Sequence, residues 1–171
     1  MYIESTASPI RDGSGAVSGG VLVFHDVSES RELNRKLSYH ASHDILTGLV
    51  NRREFEARLE RSLRSARARE TSYALCHIDV DQFKIVNDTC GHAAGDELLR
   101  MVAHAARKIL REQDTLARMG GDEFGVLLLN CPPSVGERKA DELRAAMGSV
   151  HLDWGGRSFE ISASIGLVHV R

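Results

Sequence analysis

The stretch of sequence that decides the fold is a turn inside an apolar segment, and it reads Arg118, Met119, Gly120, Gly121, Asp122, Glu123, Phe124. The segment from Leu116 to Leu129 predicts a β-hairpin, because a Gly-Gly pair favours a tight turn. Glycine also lets the backbone approach a bulky ligand, such as a nucleotide phosphate. The turn by itself leaves two interpretations open, an ordinary hairpin and a ligand site.

A second pair of acids lies upstream, at the end of another apolar run. Tyr73 to Val80 predicts a buried strand, and Asp79 and Asp81 stand at its exit. We expect both carboxylates on one strand face, where they repel each other unless a divalent cation lies between them. An EF-hand loop is excluded, because Phe83 and Lys84 stand where a ligand and a glycine are required. Acids from two strand ends that hold a metal are typical of nucleotidyl transfer, and a structural pair is the alternative.

The residues that follow these acids are suited to a purine nucleotide. Asn87 and Asp96 can together donate to and accept from a purine edge, and an aspartate accepts the paired N–H groups of guanine. Lys84 supplies a point charge suited to phosphate. His92 has a structural alternative, because a histidine beside a glycine is more often a hydrogen-bonded structural residue.

Composition excludes several classes of protein. The 171 residues include 22 basic and 24 acidic residues and are 42% hydrophobic, which is enough chain for one domain with a core. A net charge of -2 lacks the basic footprint of nucleic-acid binding, and no apolar run approaches the roughly 18 residues that span a bilayer. We therefore expect no nucleic-acid partner and no membrane contact. Three cysteines without metal or disulfide spacing indicate buried, inert thiols and a cytoplasmic location.

Hydrophobic periodicity elsewhere predicts helices that alternate with strands, which favours a mixed α/β sheet covered by helices. The charged segment Ser28 to His43 predicts a connecting helix, either paired with a second copy as a short coiled coil or solvated as a linker. The other predicted elements are a hairpin over Tyr2 to Phe24, helices over Arg52 to Arg69, Leu98 to Ile109 and Ser134 to Met147, and a strand pair over His151 to Val170.

These motifs together resemble the GGDEF family of diguanylate cyclases. The turn at Gly120 carries the family signature, and the segment from Asp79 to Asp96 resembles the family's metal and guanine segment. Asp44 to Arg52 is similar to its opening motif, with Ile45 where proline is common, and Ser164 to Gly166 matches its late strand. The resemblance implies a mixed, largely antiparallel central sheet flanked by helices, of the nucleotidyl-cyclase and polymerase-palm type.

The resemblance also implies an activity, the condensation of two GTP molecules to cyclic di-GMP and two pyrophosphates in a homodimer. Its implied catalytic residues are Glu123, Asp79 and Asp122, with Glu123 as the base or as a ligand of a second metal. Its implied ligands for magnesium, or manganese as the alternative, are Asp79, the Val80 carbonyl, Asp122 and Glu123. Its implied substrate-binding residues are Phe83, Lys84, Asn87, His92, Asp96, Gly120 and Gly121.

Arg111 and Asp114 form an R-x-x-D pattern shortly before the turn, similar to the inhibitory site at which the family binds its product. A surface ion pair is the alternative, because charged residues three apart often make only that. Feedback inhibition by cyclic di-GMP is the interpretation that their position favours.

The resemblance divides the chain into three parts. Residues 1–27 look like the closing strands of a PAS sensor domain, residues 28–43 form a signalling helix, and residues 44–171 form a GGDEF domain truncated at its C-terminus. We expect a fragment of a longer sensor protein, with an EAL phosphodiesterase domain as one downstream effector. Two other functions stay open: a silent module that binds GTP or cyclic di-GMP and regulates a fused domain, and a cyclase that makes a mixed or adenine dinucleotide.

Overall fold

The computed structural model describes residues 1–69 and 71–170, and the chain divides into two units, Met1–His40 and Ala41–Arg171. In the first unit, β1 (Ile3–Arg11) and β2 (Val17–Asp26) form the predicted antiparallel hairpin. Asp12 fixes its turn, because the Asp12 carboxylate accepts the backbone N–H groups of Ser14 and Ala16. Every residue of both strands is exposed.

The predicted connecting helix is present as α1 (Ser28–Ser42), which has no buried residue. Its apolar side chains Leu33 and Leu37 are more than half exposed. Both interpretations of this segment, a coiled-coil helix and a solvated linker, therefore stay predictions.

Among the described residues, the second unit contains seven strands and four helices. In chain order they are β3 (Val50–Asn51), α2 (Arg52–Arg69), β4 (Tyr73–Val80), α3 (Phe83–Cys90), α4 (His92–Ile109), β5 (Thr115–Gly120), β6 (Glu123–Leu129), α5 (Pro133–Gly148), β7 (His151–Trp154), β8 (Arg157–Glu160) and β9 (Ala163–Val170). Across the described residues, 1–69 and 71–170, no helix combines the length and apolar composition needed to cross a membrane.

The central sheet has the strand order β3-β5-β6-β4-β9, with β3 parallel to β5 and the other neighbours antiparallel. This confirms the predicted mixed, largely antiparallel sheet. Side chains alternate between its two faces. The even-numbered residues of β4, from Ala74 to Val80, pack into a core with α4 and α5, whereas Tyr73 packs with Phe55 of α2 on the opposite face. Helices therefore flank the sheet on both sides.

The segment from His151 to Val170 differs from the single strand pair predicted for it. It forms the β7–β8 hairpin, which is a separate two-stranded sheet, and then β9, which pairs with β4 in the central sheet. The physical reason is the Gly155-Gly156 turn, where both residues have positive φ and close the hairpin after only four residues. The rest of the segment is thereby free to pair elsewhere.

All three cysteines are free thiols, and Cys76 and Cys131 are buried in the core as expected. Burial raises the pKa of the Cys76 thiol to about 11, so this group is a neutral thiol at physiological pH. The structure therefore assigns Cys76 to packing.

Candidate active site

The predicted Leu116–Leu129 hairpin is present, and its turn joins β5 to β6. Gly120 and Gly121 have φ values of 141° and 55°, a region that L side chains rarely adopt and glycine enters at little cost. A register shift between Arg118 and Gly120 bulges the end of β5. Asp122 follows in the turn, and Glu123 is the first residue of β6.

Strand pairing brings the two acidic segments together. Asp79, next to the end of β4, lies directly opposite Glu123 in the antiparallel register. The backbone N–H of Val80 donates to the carbonyl of Asp122 at 3.2 Å. The residues predicted as catalytic are therefore neighbours at one end of the sheet, although more than forty positions separate them in the sequence.

Several acidic side chains are crowded around Asp79 at this end of the sheet. Partial desolvation raises the pKa of the Asp79 carboxyl, and the charges of Asp122, Asp81 and Glu123 raise it further. A divalent cation bound through oxygen atoms relieves the repulsion between carboxylates that are crowded in this way.

The acidic residues at this end of the sheet fit a magnesium ion that has only a few protein ligands. Among residues 1–69 and 71–170, no three or more His, Cys, Asp or Glu side chains form a group that could hold a metal ion. Magnesium is usually held by one or two carboxylates and completed by substrate phosphates. Asp79 and Asp122, with the Val80 carbonyl, match that chemistry.

Asp81 lies just beyond the strand that the sequence pattern predicted to contain it. Strand β4 ends at Val80, and the chain then turns through Gln82, whose φ is 60°. The two carboxylate oxygens of Asp81 accept hydrogen bonds from the hydroxyls of Ser162 and Ser164. Ser164 also lies opposite Asp79 in the β4–β9 register, so the carboxylates of Asp79 and Asp81 face the same side as expected, although Asp81 lies one residue beyond the end of β4.

Arg118 connects the glycine turn to the loop before β3, and sequence reasoning missed this role. Its guanidinium donates to both carboxylate oxygens of Asp44, at 3.2 and 3.3 Å, and to the Gly121 carbonyl at 2.8 and 3.0 Å. Burial alone would raise the pKa of the Asp44 carboxyl, but hydrogen bonds from Thr47 and the Arg118 charge lower it. The glycine turn is thus tied to a second loop by a largely buried ion pair.

The predicted guanine-binding residues lie where α3 packs on α4. The Asn87 side-chain oxygen is buried and, within the described part of the chain, has no hydrogen-bond partner. A Cβ on Gly95 would collide with that oxygen and would lie 3.1 Å from the Phe83 ring. Asp96 follows Gly95 and is half-buried, and Lys84 is exposed. The unpaired Asn87 oxygen is suited to an N–H donor on a ligand.

Of the remaining predicted residues, His92 is exposed at the start of α4, while Arg111 and Asp114 lie between α4 and β5. Asp114 is 5% exposed, and its carboxylate accepts the backbone N–H groups of Arg111 at 3.1 Å and Leu129 at 3.3 Å. No ion pair joins the side chains of Arg111 and Asp114 in the described ranges. Asp114 therefore holds this turn in shape and leaves the Arg111 side chain exposed.

The mixed sheet, with an acidic glycine turn beside a second acidic strand end, defines a palm-like nucleotidyl-cyclase domain. The chain belongs to the GGDEF family, because the family model described as "Diguanylate cyclase, GGDEF domain" matches residues 41–171.

Relatives and solved structures agree with this assignment. The chain is 44% identical over 165 residues to the probable diguanylate cyclase DgcE of Escherichia coli K12, covering 96% of this chain and 15% of that protein. It is 41% identical over 126 residues to the cyclic di-GMP phosphodiesterase PdeB of Shewanella oneidensis, covering 74% of this chain and 14% of that protein. The chain thus spans a small part of these relatives.

A crystal structure of the coiled coil and GGDEF domain of DgcB from Caulobacter crescentus, in complex with c-di-GMP, has a similar fold. It superposes with a TM-score of 0.78 at 30% identity, covering 85% of this chain and 78% of that one. The palm-like architecture predicted from the sequence is therefore confirmed.

Proposed function

We propose that the chain carries the cyclase domain of a diguanylate cyclase, which condenses two GTP molecules to cyclic di-GMP with release of two pyrophosphates. The observation that carries this proposal is the pairing of Asp79 with Glu123 across β4 and β6, with Asp122 bonded to Val80 beside them. Acids gathered at one sheet end can hold metal ions that stabilise the attacking and leaving oxygens of a phosphoryl transfer.

In the proposed reaction each 3′-hydroxyl attacks the α-phosphorus of the other nucleotide. A new bond forms between phosphorus and the 3′-oxygen, and the bond to pyrophosphate breaks. Glu123 accepts the proton of the attacking hydroxyl as a general base, with ligation of a second ion as its alternative role. Magnesium, or manganese in its place, would be held by Asp79, Asp122 and the Val80 carbonyl, and would neutralise charge on the phosphates.

Recognition of the substrate is assigned to α3 and α4. Asn87, with its unpaired oxygen, and Asp96 bind the guanine edge, which carries N–H donors. Phe83 and Lys84 hold the terminal phosphates, while Gly120 and Gly121 let the backbone approach them. His92 is exposed beside this region and completes the proposed binding residues.

The proposed assembly is a homodimer, because each domain has one nucleotide site and the reaction needs two GTP molecules. Sensor and effector domains of a longer chain would control the approach of the two sites. A cytoplasmic location is part of the proposal, since GTP and free thiols are both found there.

The direct test is incubation of the concentrated chain with GTP and Mg²⁺, followed by mass spectrometry of the nucleotides. We expect cyclic di-GMP and pyrophosphate, and no product when EDTA replaces the metal. Two control reactions replace GTP with an equal amount of ATP or of a mixture of ATP and GTP. A cyclic product in them would indicate an adenine or mixed dinucleotide. Absence of any cyclic product at dimer-forming concentrations would contradict the proposed activity of this chain.

A second candidate function is a non-catalytic module that binds GTP or cyclic di-GMP and regulates a fused domain. It is favoured by one observation, the 41% identity to a protein named as a cyclic di-GMP phosphodiesterase. Nucleotide binding without turnover in the same assay would support this candidate.

Product inhibition gives a separate prediction. Replacing Arg111 with Ala is expected to raise the cyclic di-GMP concentration that halves activity by about tenfold or more, because a charged hydrogen bond contributes about 1.5–3 kcal/mol. Activity without added product should not change, since Arg111 lies outside the acidic site. Arg144→Ala, on the exposed surface of α5, is the matched control. An unchanged inhibition curve would show that the R-x-x-D pattern binds no product.

A further inference from the structure

Asp81 has no role in the proposed reaction, although it adjoins the proposed ligand Val80. Asp81 lies between β4 and α3. Both of its carboxylate oxygens accept hydrogen bonds, one from a residue of β9 and one from the residue immediately before β9. Oδ2 accepts the Ser162 hydroxyl at 2.6 Å, and Oδ1 accepts the Ser164 hydroxyl at 2.8 Å. Hydrogen bonds to a charged acceptor are about twice as strong as neutral ones, so this side chain is well anchored.

Backbone hydrogen bonds hold the same strand end from both sides. The N–H of Val80 donates to the Asp122 carbonyl, and the N–H of Asp81 donates to the Ser162 carbonyl at 3.0 Å. A trans peptide is planar, with its C=O opposite its N–H, so the Val80 carbonyl points away from Ser162. Because the N–H and C=O of one strand residue share a side, that carbonyl is directed toward the Asp122 turn.

We propose that Asp81, Ser162 and Ser164 form a clamp that positions the Val80 carbonyl for the metal ion of the cyclase site. This inference rests on the proposed function, since the Val80 carbonyl has a task only if an ion binds beside Asp79. The clamp also preserves the β4–β9 register, in which Ser164 lies opposite Asp79. Without the side-chain bonds, the last peptide of β4 is held by backbone bonds alone and can rotate.

A merely structural role for the three residues makes a different prediction. It would lower the thermal stability of the variants while leaving the ion affinity of the folded molecules unchanged. Outer-shell partners of metal ligands, by contrast, typically change metal affinity by about 10- to 100-fold when they are replaced. Ion binding, measured without turnover, therefore separates the two roles.

The experiment measures Mn²⁺ binding by electron paramagnetic resonance, with a GTP analogue whose α,β-bridging oxygen is replaced by methylene. We expect Ser162→Ala/Ser164→Ala and Asp81→Asn to bind Mn²⁺ about tenfold or more weakly than wild type. Ser162→Thr/Ser164→Thr, which keeps both hydroxyls, should bind as wild type does. Asp153→Asn, on β7 in the separate hairpin, is the matched control for removal of one negative charge.

Amide hydrogen exchange gives a second readout, because loosening of the clamp should accelerate exchange at the Asp81 N–H. Thermal unfolding of each variant shows which proteins are folded, and only those are compared. If the double serine variant does not fold, Asp81→Asn, which conserves volume, is the variant used for the test. Wild-type Mn²⁺ affinity in the folded variants would overturn the clamp and leave the proposed function intact. Failure of the wild-type chain to bind Mn²⁺ with the analogue would overturn the proposed function and the clamp together.

Discussion

Replacing Glu123 with Gln is expected to lower the rate of cyclic di-GMP formation at least about a hundredfold while GTP binding changes little. The amide has nearly the volume of the carboxylate, so the β4–β6 pairing and the position opposite Asp79 are kept. It cannot accept the proton of the 3′-hydroxyl, and general bases typically contribute about 10²- to 10⁴-fold to a rate. Product formation is measured by mass spectrometry, and GTP affinity by calorimetry with the non-reactive analogue.

Glu160→Gln, on the exposed strand β8, is the matched control and should leave both quantities unchanged. An equal loss of turnover and of GTP binding in Glu123→Gln would count against a catalytic role. If Glu123 instead binds a second ion, the variant should recover activity at raised Mn²⁺ concentration, which a lost base would not allow.

Replacing Gly95 with Ala is expected to weaken GTP binding about tenfold or more without unfolding the domain. The added Cβ would occupy the position of the Asn87 side-chain oxygen and would lie 2.9 Å from its Cγ. Asn87 must then move, and the guanine loses an acceptor, which costs about 1–3 kcal/mol. Alanine is also favoured over glycine inside a helix by about 1 kcal/mol, so the unfolding temperature should not fall as it does when a core residue is lost.

Gly148→Ala is the matched control for this substitution. A Cβ there meets only the Ile161 carbonyl at 3.7 Å, an ordinary contact, and Gly148 lies at the end of α5 far from the guanine residues in sequence. Unchanged GTP affinity in a folded Gly95→Ala protein would remove Asn87 from the guanine site. If the GTP affinity of Gly95→Ala falls to the same weak level as its ATP affinity, Gly95 sets purine selectivity through Asn87.

Much of the fold could be predicted because its signals are local. The β4 strand, the β5–β6 hairpin and the helices α2, α4 and α5 follow from hydrophobic periodicity and from glycine turns, which involve residues close in sequence. The strands β7, β8 and β9 were predicted as one pair, because periodicity does not tell which strand a run pairs with. Long-range pairing is what separated β9 from the hairpin.

The site divides in the same way. The sequence by itself determined which chemical groups are present: glycines able to adopt positive φ, consecutive acids in the turn, and an amide and an acid suited to guanine. It could not determine that Asp81 bonds to Ser162 and Ser164, or that Arg118 bonds to Asp44 across 74 positions.

Only the tertiary structure decided those contacts, and the reason is register. A slip of one residue between two strands moves every side chain to the other face of the sheet. The identity of the residue opposite Asp79 therefore depends on the packing of the whole sheet between its helices. Local sequence determines which residue types are available to a site, whereas pairing between strands that are distant in sequence determines where those residues come together.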